Sequence, residues 1–166
     1  GNIAGIPNQV IIFAVLMILS FILLHLTKYG RKIFLIGVNR NTAEYSGIKT
    51  ARVVMSTYVL SGIAASISGI LLTSYLGTAK PDFGADLTLP IITAVVLGGT
   101  SIYGGKGNVI GTGLAALIIG FMKFGLTLIG VNAQYQDIPV GILLILSLII
   151  NFMIHSKVFQ KIMKKK

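Results

Sequence analysis

Long apolar runs separated by short polar breaks dominate the chain. Residues 10–27 contain no charged side chain. As a helix rising 1.5 Å per residue, a run of that length covers about 27 Å, close to the thickness of a bilayer core. Residues 54–76, 109–129 and 138–154 repeat the pattern. Each predicts a membrane-crossing helix. Within 54–76, Ser61, Ala65 and Gly69 recur every fourth position, a small-residue stripe that lets another helix backbone approach closely. This stripe predicts a helix packed inside a bundle. Gly113, Ala116 and Gly120 predict a similar face on 109–129.

A fifth apolar segment, 88–103, is weaker. It contains Pro90, Gly98 and Gly99 and the hydroxyls of Thr88, Thr93, Thr100 and Ser101. The positive-inside bias decides its reading. Lys28, Arg31, Lys32, Arg40, Lys49 and Arg52 stand against Glu44 alone in residues 28–53, and five lysines lie in residues 157–166. Both segments belong on the cytoplasmic side, so an even number of crossings separates them. Counting 88–103 makes that number four and places the two acidic loops, 77–87 and 131–137, outside. The fold expected is therefore all-α and integral to a membrane. It has about five membrane-crossing segments, one of them short and glycine-broken. Proline and glycine at that depth are tolerated where protein or a water-filled cavity covers the freed backbone groups.

Inside the basic loop, the run from Asn41 to Ser46 reads as a short polar helix lying along the membrane face, with Gly47 as its terminating glycine. Residues 1–9 read as a neutral loop, and the chain, beginning at Gly1, reads as the C-terminal portion of a longer protein with one transmembrane domain over 1–166.

Composition narrows the function. The chain of 166 residues is 54% apolar and 11% charged, against about 25% charged in soluble domains. The net charge of +10 is confined to loops beside apolar runs, which argues against a nucleic-acid surface. Cysteine is absent, and His25 and His155 lie far apart at span ends, so no metal site or cofactor is expected. No nucleophile–base constellation suggests an enzyme. The run from Gly98 to Gly107 fails the phosphate-loop template, with Thr100 where the first glycine belongs and Gly107 where the hydroxyl belongs. It reads instead as a tight turn between two closely packed spans. Lys123 is the one charge within a span and reads as snorkelling toward the outer surface. No acid–base relay for proton coupling is visible in any span.

Three blocks then carry a resemblance: residues 37–48 (Gly-Val-Asn-Arg-Asn-Thr-Ala-Glu-Tyr-Ser-Gly-Ile), 58–62 (Tyr-Val-Leu-Ser-Gly), and 94–107, centred on Gly-Gly-Thr-Ser-Ile-Tyr-Gly-Gly-Lys-Gly. In this order the chain resembles the ribose-type branch of bacterial ABC importer permeases, which serves ribose, galactose, xylose and autoinducer-2. Residues 75–86 are closer to the autoinducer-2 members than to the ribose ones. The resemblance implies a multi-pass protein of the bacterial inner membrane. It implies cytoplasmic ATPase subunits that hydrolyse ATP separately, an extracytoplasmic solute-binding protein, and a second permease, identical or not. It places the coupling element on Asn39, Arg40, Ala43, Glu44, Ser46, Gly47 and Ile48. The solute path is expected along Thr88, Thr93, Gly98, Gly99, Thr100 and Ser101, because hydroxyls donate and accept and suit a polyol held weakly. A secondary carrier or channel working without an ATPase, and a truncated remnant that does not transport, are the alternatives.

Overall fold

The computed structural model describes residues 2–3, 6–79, 84 and 86–155. The basic tail at 157–166 lies outside these residues, as do positions 80–83 and 85 of the 77–87 loop. Seven α-helices make up most of the described residues. They are α1 (Asn8–Phe21), α2 (Lys28–Val38), α3 (Arg40–Tyr45), α4 (Thr50–Leu76), α5 (Thr88–Leu97), α6 (Val109–Leu128) and α7 (Ala133–His155). A π-helical turn, Ile22–Leu26, extends α1. Before it, Asn2–Ile3 and Ile6–Pro7 pair antiparallel, where sequence alone suggested an unstructured loop.

Among the described residues four helical segments are long and apolar enough to cross a bilayer: Asn8–Leu26, Thr50–Leu76, Val109–Leu128 and Ala133–Met153. The fifth apolar segment forms a helix of only 10 residues, about 15 Å long. It stops at Leu97, and the remainder to 103 is turn. Pro90 is tolerated at its third position, where an N–H would lack an intrahelical partner in any case.

The chain divides into two compact units. The first comprises residues 1–82 together with 103–105; the second comprises 83–102 and 106–166. In the first, Thr27 breaks the helical path with an extended backbone (φ −98°, ψ 158°), and its hydroxyl oxygen accepts from Gly30 N while donating to Leu23 O at 2.6 Å. Gly30 is buried, and a Cβ there would strike the Leu24 carbonyl. The basic loop is thus not a connector with one short helix. Residues 28–38 form a full helix, in which Ile33, Phe34 and Ile36 are half-buried and Leu35 is exposed. The Tyr29 hydroxyl and Ser56 Oγ share a 2.5 Å hydrogen bond that ties α2 to α4.

The small-residue stripe of α4 has no covering helix. Ser61, Ala65 and Gly69 are exposed, and an open groove of about 640 Å³ runs along Ser66, Gly69, Ile70 and Thr73. The expectation of a helix packed on that face is not met within the described residues.

The second unit is better filled. Ala94 of α5, Ala115 and Ile119 of α6 and Val140 of α7 form its core, flanked by Leu89 and Met122. The buried face of α6 is Gly113, Ala115 and Ile119, while Ala116 and Gly120 are exposed. The α7 helix starts at Ala133 and not at 138, with Pro139 inside it. Asp137 therefore sits on a helix and not in a loop.

Candidate functional site: the 37–50 segment and the glycine loop

The chain leaves α2 at Asn39, whose backbone is extended (φ −158°, ψ 112°) and whose Oδ1 accepts from Thr42 N at 3.1 Å. Asn39 is therefore the N-cap of α3, two residues earlier than the Asn41 that sequence suggested. The exit is a paired glycine cap. Gly47 N donates to Glu44 O at 2.9 Å and Ile48 N to Ala43 O at 3.1 Å, with Gly47 in the left-handed region at φ +79°. This is the bond pattern of a Schellman motif. A side chain at Gly47 would meet open space, so the demand for glycine there is conformational and not steric.

Most polar side chains expected to face a partner are engaged within the segment. Arg40 Nε lies 3.3 Å from Glu44 Oε1. The same carboxylate oxygen accepts from Thr50 Oγ1 at 2.5 Å, and Ser46 Oγ donates to Thr42 O at 2.9 Å. The Thr50 hydrogen bond, then that of Arg40, holds the Glu44 carboxyl below its ordinary range. Thr50 is 3% exposed and opens α4, so Glu44 fastens α3 to the next helix. Ala43 packs inward at 4% exposure. Arg40, Asn41, Thr42 and Glu44 are exposed as well, and the large apolar side chain that α3 presents outward is Tyr45, 93% exposed. Sequence reasoning passed over it, although one aromatic in a polar helix beside a glycine cap was a readable signal.

The glycine run brings two of the sequence blocks together. Gly104 and Gly105, at φ +85° and +76°, lie against Gly37 and Val38 at the end of α2. A Cβ on Gly37 would fall 2.5 Å from Gly105 N, and one on Gly104 would fall 2.6 Å from Gly37 O. The loop is closed at its base by Ser101 N donating to Lys106 O at 3.0 Å. Asn108 starts α6, its Oδ1 accepting from Ile110 N at 3.1 Å and Gly111 N at 3.3 Å. Gly98 presses on the first turn of α6, where a Cβ would overlap the Thr112 backbone. The turn reading of this run is correct, with a seat on α2 that sequence did not show.

The residues expected along a solute path are placed differently from one another. Thr88 and Gly99 are exposed, Thr100 is half-buried, and Gly98 and Ser101 are buried. Thr93 is fully buried and donates to its own helix at Leu89 O, 2.8 Å.

A second polar group joins the ends of α6 and α7. Lys123 Nζ lies 2.8 Å from Asp137 Oδ1. Beside it, Gln136 Nε2 donates to Thr127 Oγ1 and to Val131 O, both at 3.0 Å. Lys123 does not simply snorkel; it has a carboxylate partner, in a pair that is part-exposed and not buried. The pair was hidden because Asp137 was assigned to a loop.

These features define a polytopic helical membrane protein with a capped surface helix between two spans and a broken half-length helix beside two others. The sequence profile of the branched-chain amino acid transport system / permease component family matches residues 2–148, and the chain belongs to that family. It is 45% identical over 145 residues to the autoinducer 2 import system permease protein LsrD of Yersinia enterocolitica serotype O:8 / biotype 1B, covering 87% of this chain and 44% of that protein. LsrD of Yersinia pestis (strain Pestoides F) is 45% identical over 142 residues, 86% of this chain and 43% of the relative. LsrD of Yersinia pseudotuberculosis serotype O:1b (strain IP 31758) is 44% identical over the same length and shares. The chain thus spans less than half the length of these relatives. No solved structure matches it.

Proposed function

We propose that this chain is part of the membrane-spanning permease of an ATP-driven ABC importer in the bacterial inner membrane, and that its solute is autoinducer-2 or a similarly small, hydroxyl-rich molecule. The observation that carries the reading is α3. It is a six-residue helix capped at both ends and fastened to α4 through Glu44 and Thr50, and it presents Tyr45 outward. A short element held this rigidly suits transmission of a partner's closure as a rigid-body push. The partner is a cytoplasmic ATPase subunit, so ATP is hydrolysed outside this chain. An extracytoplasmic protein delivers the solute, and a second permease, identical or different, completes the path. Similarity to LsrD proteins supports the solute class.

Within this reading Asn39, Gly47 and Ile48 shape the coupling helix, Ala43 seats it, and Arg40, Glu44 and Ser46 stiffen it. Thr88, Gly99 and Thr100 border the solute path. Thr93, Gly98 and Ser101 set the backbone behind it.

The Lys123–Asp137 pair favours one competing reading, a carrier driven by a proton gradient. Reconstitution separates the two. In proteoliposomes holding the complete permease, the ATPase and the solute-binding protein, uptake is expected to require ATP. Tyr45→Ala is expected to weaken ATPase co-purification and to lower uptake about tenfold, the loss of roughly 1.4 kcal/mol of docking energy. Uptake driven by a pH gradient without ATP, and unaffected by Tyr45→Ala, would overturn the proposal.

A further inference from the structure

We propose that the glycine tip Gly104–Gly105, seated on Gly37–Val38, is the joint through which movement of α3 reaches the broken segment α5, which makes Gly37, Val38, Gly104 and Gly105 positioning residues for transport. The inference rests on the reading of α3 as the ATPase contact.

The seat is backbone on backbone. A Cβ at Gly37 would lie 2.5 Å from Gly105 N and 3.2 Å from its Cα, and one at Gly105 would lie 2.5 Å from Val38 Cγ2 and 3.3 Å from Val38 Cα. Apart from Val38 Cγ2, surfaces that close have no side chain to absorb a displacement, so a shift on one side is passed to the other. One side of the seat is the last turn of α2. A single extended residue, Asn39, separates it from α3, which leaves little slack.

The other side is a stiff loop. Ser101 N donates to Lys106 O across its base, and Thr100 N donates back to Val95 O within α5. Gly98 and Gly99 then join the loop directly to the end of α5. A push at Tyr103–Gly105 is thus carried along a short, hydrogen-bonded path to the helix bearing Thr88 and Thr93. The positive φ of Gly104 and Gly105 shapes the tip so that its backbone can reach the seat.

Gly37→Ala is the primary test, in the complete permease assembled with its ATPase in proteoliposomes. Gly37 lies inside α2, where alanine is favoured over glycine by roughly 1 kcal/mol of helix propensity. A defect therefore reports the lost seat and not a weakened helix. The expected result is normal ATPase co-purification and retained ATP hydrolysis, with solute uptake per ATP hydrolysed reduced about tenfold or more.

A second pair guards against a variant that merely folds badly. Gly105→Ala is expected to uncouple in the same way, and adding Val38→Ala, which removes the colliding Cγ2, is expected to restore part of the coupling. Strain from φ alone would not respond to Val38. Wild-type uptake per ATP in Gly37→Ala would overturn the joint, as would a double variant no better than Gly105→Ala. Failure of the α3 reading shows elsewhere, as ATPase association indifferent to Tyr45→Ala, so the two failures are read separately.

Discussion

The 10-residue α5 and the 27-residue α4 reverse the ranking their sequences suggest. The α4 helix has the length, the hydropathy and the regular small-residue stripe of a buried bundle helix, yet only Thr50 at its start is buried. The α5 helix is too short to cross a bilayer alone, but it buries Thr93, Ala94 and Val96 and contributes to the core with α6 and α7. Apolarity and stripe geometry state what a helix can pack against; they do not state whether the partner lies in the same stretch of chain. Membrane helices gain nothing from hiding apolar surface from lipid, so burial marks true packing contacts. The filled unit is held by contacts within this chain. The bare face of α4 and the exposed Tyr45 are surfaces that contacts among the described residues leave open.

The contrast is broken most severely by adding volume where backbones touch. Gly98→Val is expected to destabilise the second unit by about 3 kcal/mol or more, since its Cβ would overlap the Thr112 backbone. Gly62→Val, whose Cβ meets nothing within 4 Å, is expected to stay within about 0.5 kcal/mol of wild type. Denaturant titration of the purified chain in mixed micelles measures both. Equal effects would erase the difference between the two regions.

Removing atoms gives a smaller effect of the same kind. Val140 is 0% exposed, and Val140→Ala is expected to cost about 1–2 kcal/mol in the same titration, through lost packing. Ile70, 70% exposed, is expected to tolerate alanine with little change. A loss at Ile70 matching that at Val140 would show that α4 packs on something within the chain.

The Lys123–Asp137 pair sharpens the picture at a lower magnitude. Its side chains are 27% and 42% exposed, so solvent screens the attraction. A double-mutant cycle with Lys123→Met and Asp137→Asn is expected to give a coupling of about 0.5–1 kcal/mol. A coupling of zero would mean that the 2.8 Å contact is not maintained in solution.

Much of this organisation was legible in sequence. Charge asymmetry marked the loops, and uncharged runs marked four spans to within a few residues. The α2 helix was missed because its lysines and arginine drew attention away from Ile33–Ile36. The Lys123 partner was missed because the last span was read from 138 onward, which left Asp137 in a loop, whereas α7 begins at Ala133. The short helix of the basic loop was placed to within one or two residues, at Arg40–Tyr45, but its polar residues were assigned outward. Short polar helices satisfy their own caps first, and Tyr45 is then the large apolar side chain left exposed on α3. The seating of Gly104–Gly105 on Gly37 joins residues nearly seventy positions apart, and no local pattern announces such a contact.

The smallest effect is local and depends on pH. The folded-state carboxyl of Glu44 is held below its ordinary value of 4.5. Its stabilisation of α3 is therefore fully present above that value and is lost as pH falls through the depressed folded value. The protection of amides across residues 39–50, with the intrinsic pH dependence of exchange divided out, is expected to hold from pH 7 to near 5 and to fall below 4.5. Thr50→Val is expected to shrink that fall, because the Thr50 bond is the largest cause of the depression. A fall unchanged by Thr50→Val would remove Glu44 as the fastening of α3 to α4.

The central claim is that the exposed end of α3 is a docking surface for a cytoplasmic ATPase. These 166 residues contain no cysteine, so in a complete permease cleared of any other cysteine Tyr45→Cys introduces a unique thiol. In inside-out vesicles carrying the complete permease, that thiol is expected to react readily with a membrane-impermeant reagent when the ATPase is stripped away. It is expected to be protected when the ATPase is restored. Reaction from the outer face of intact cells, or equal reaction with and without ATPase, would contradict the account.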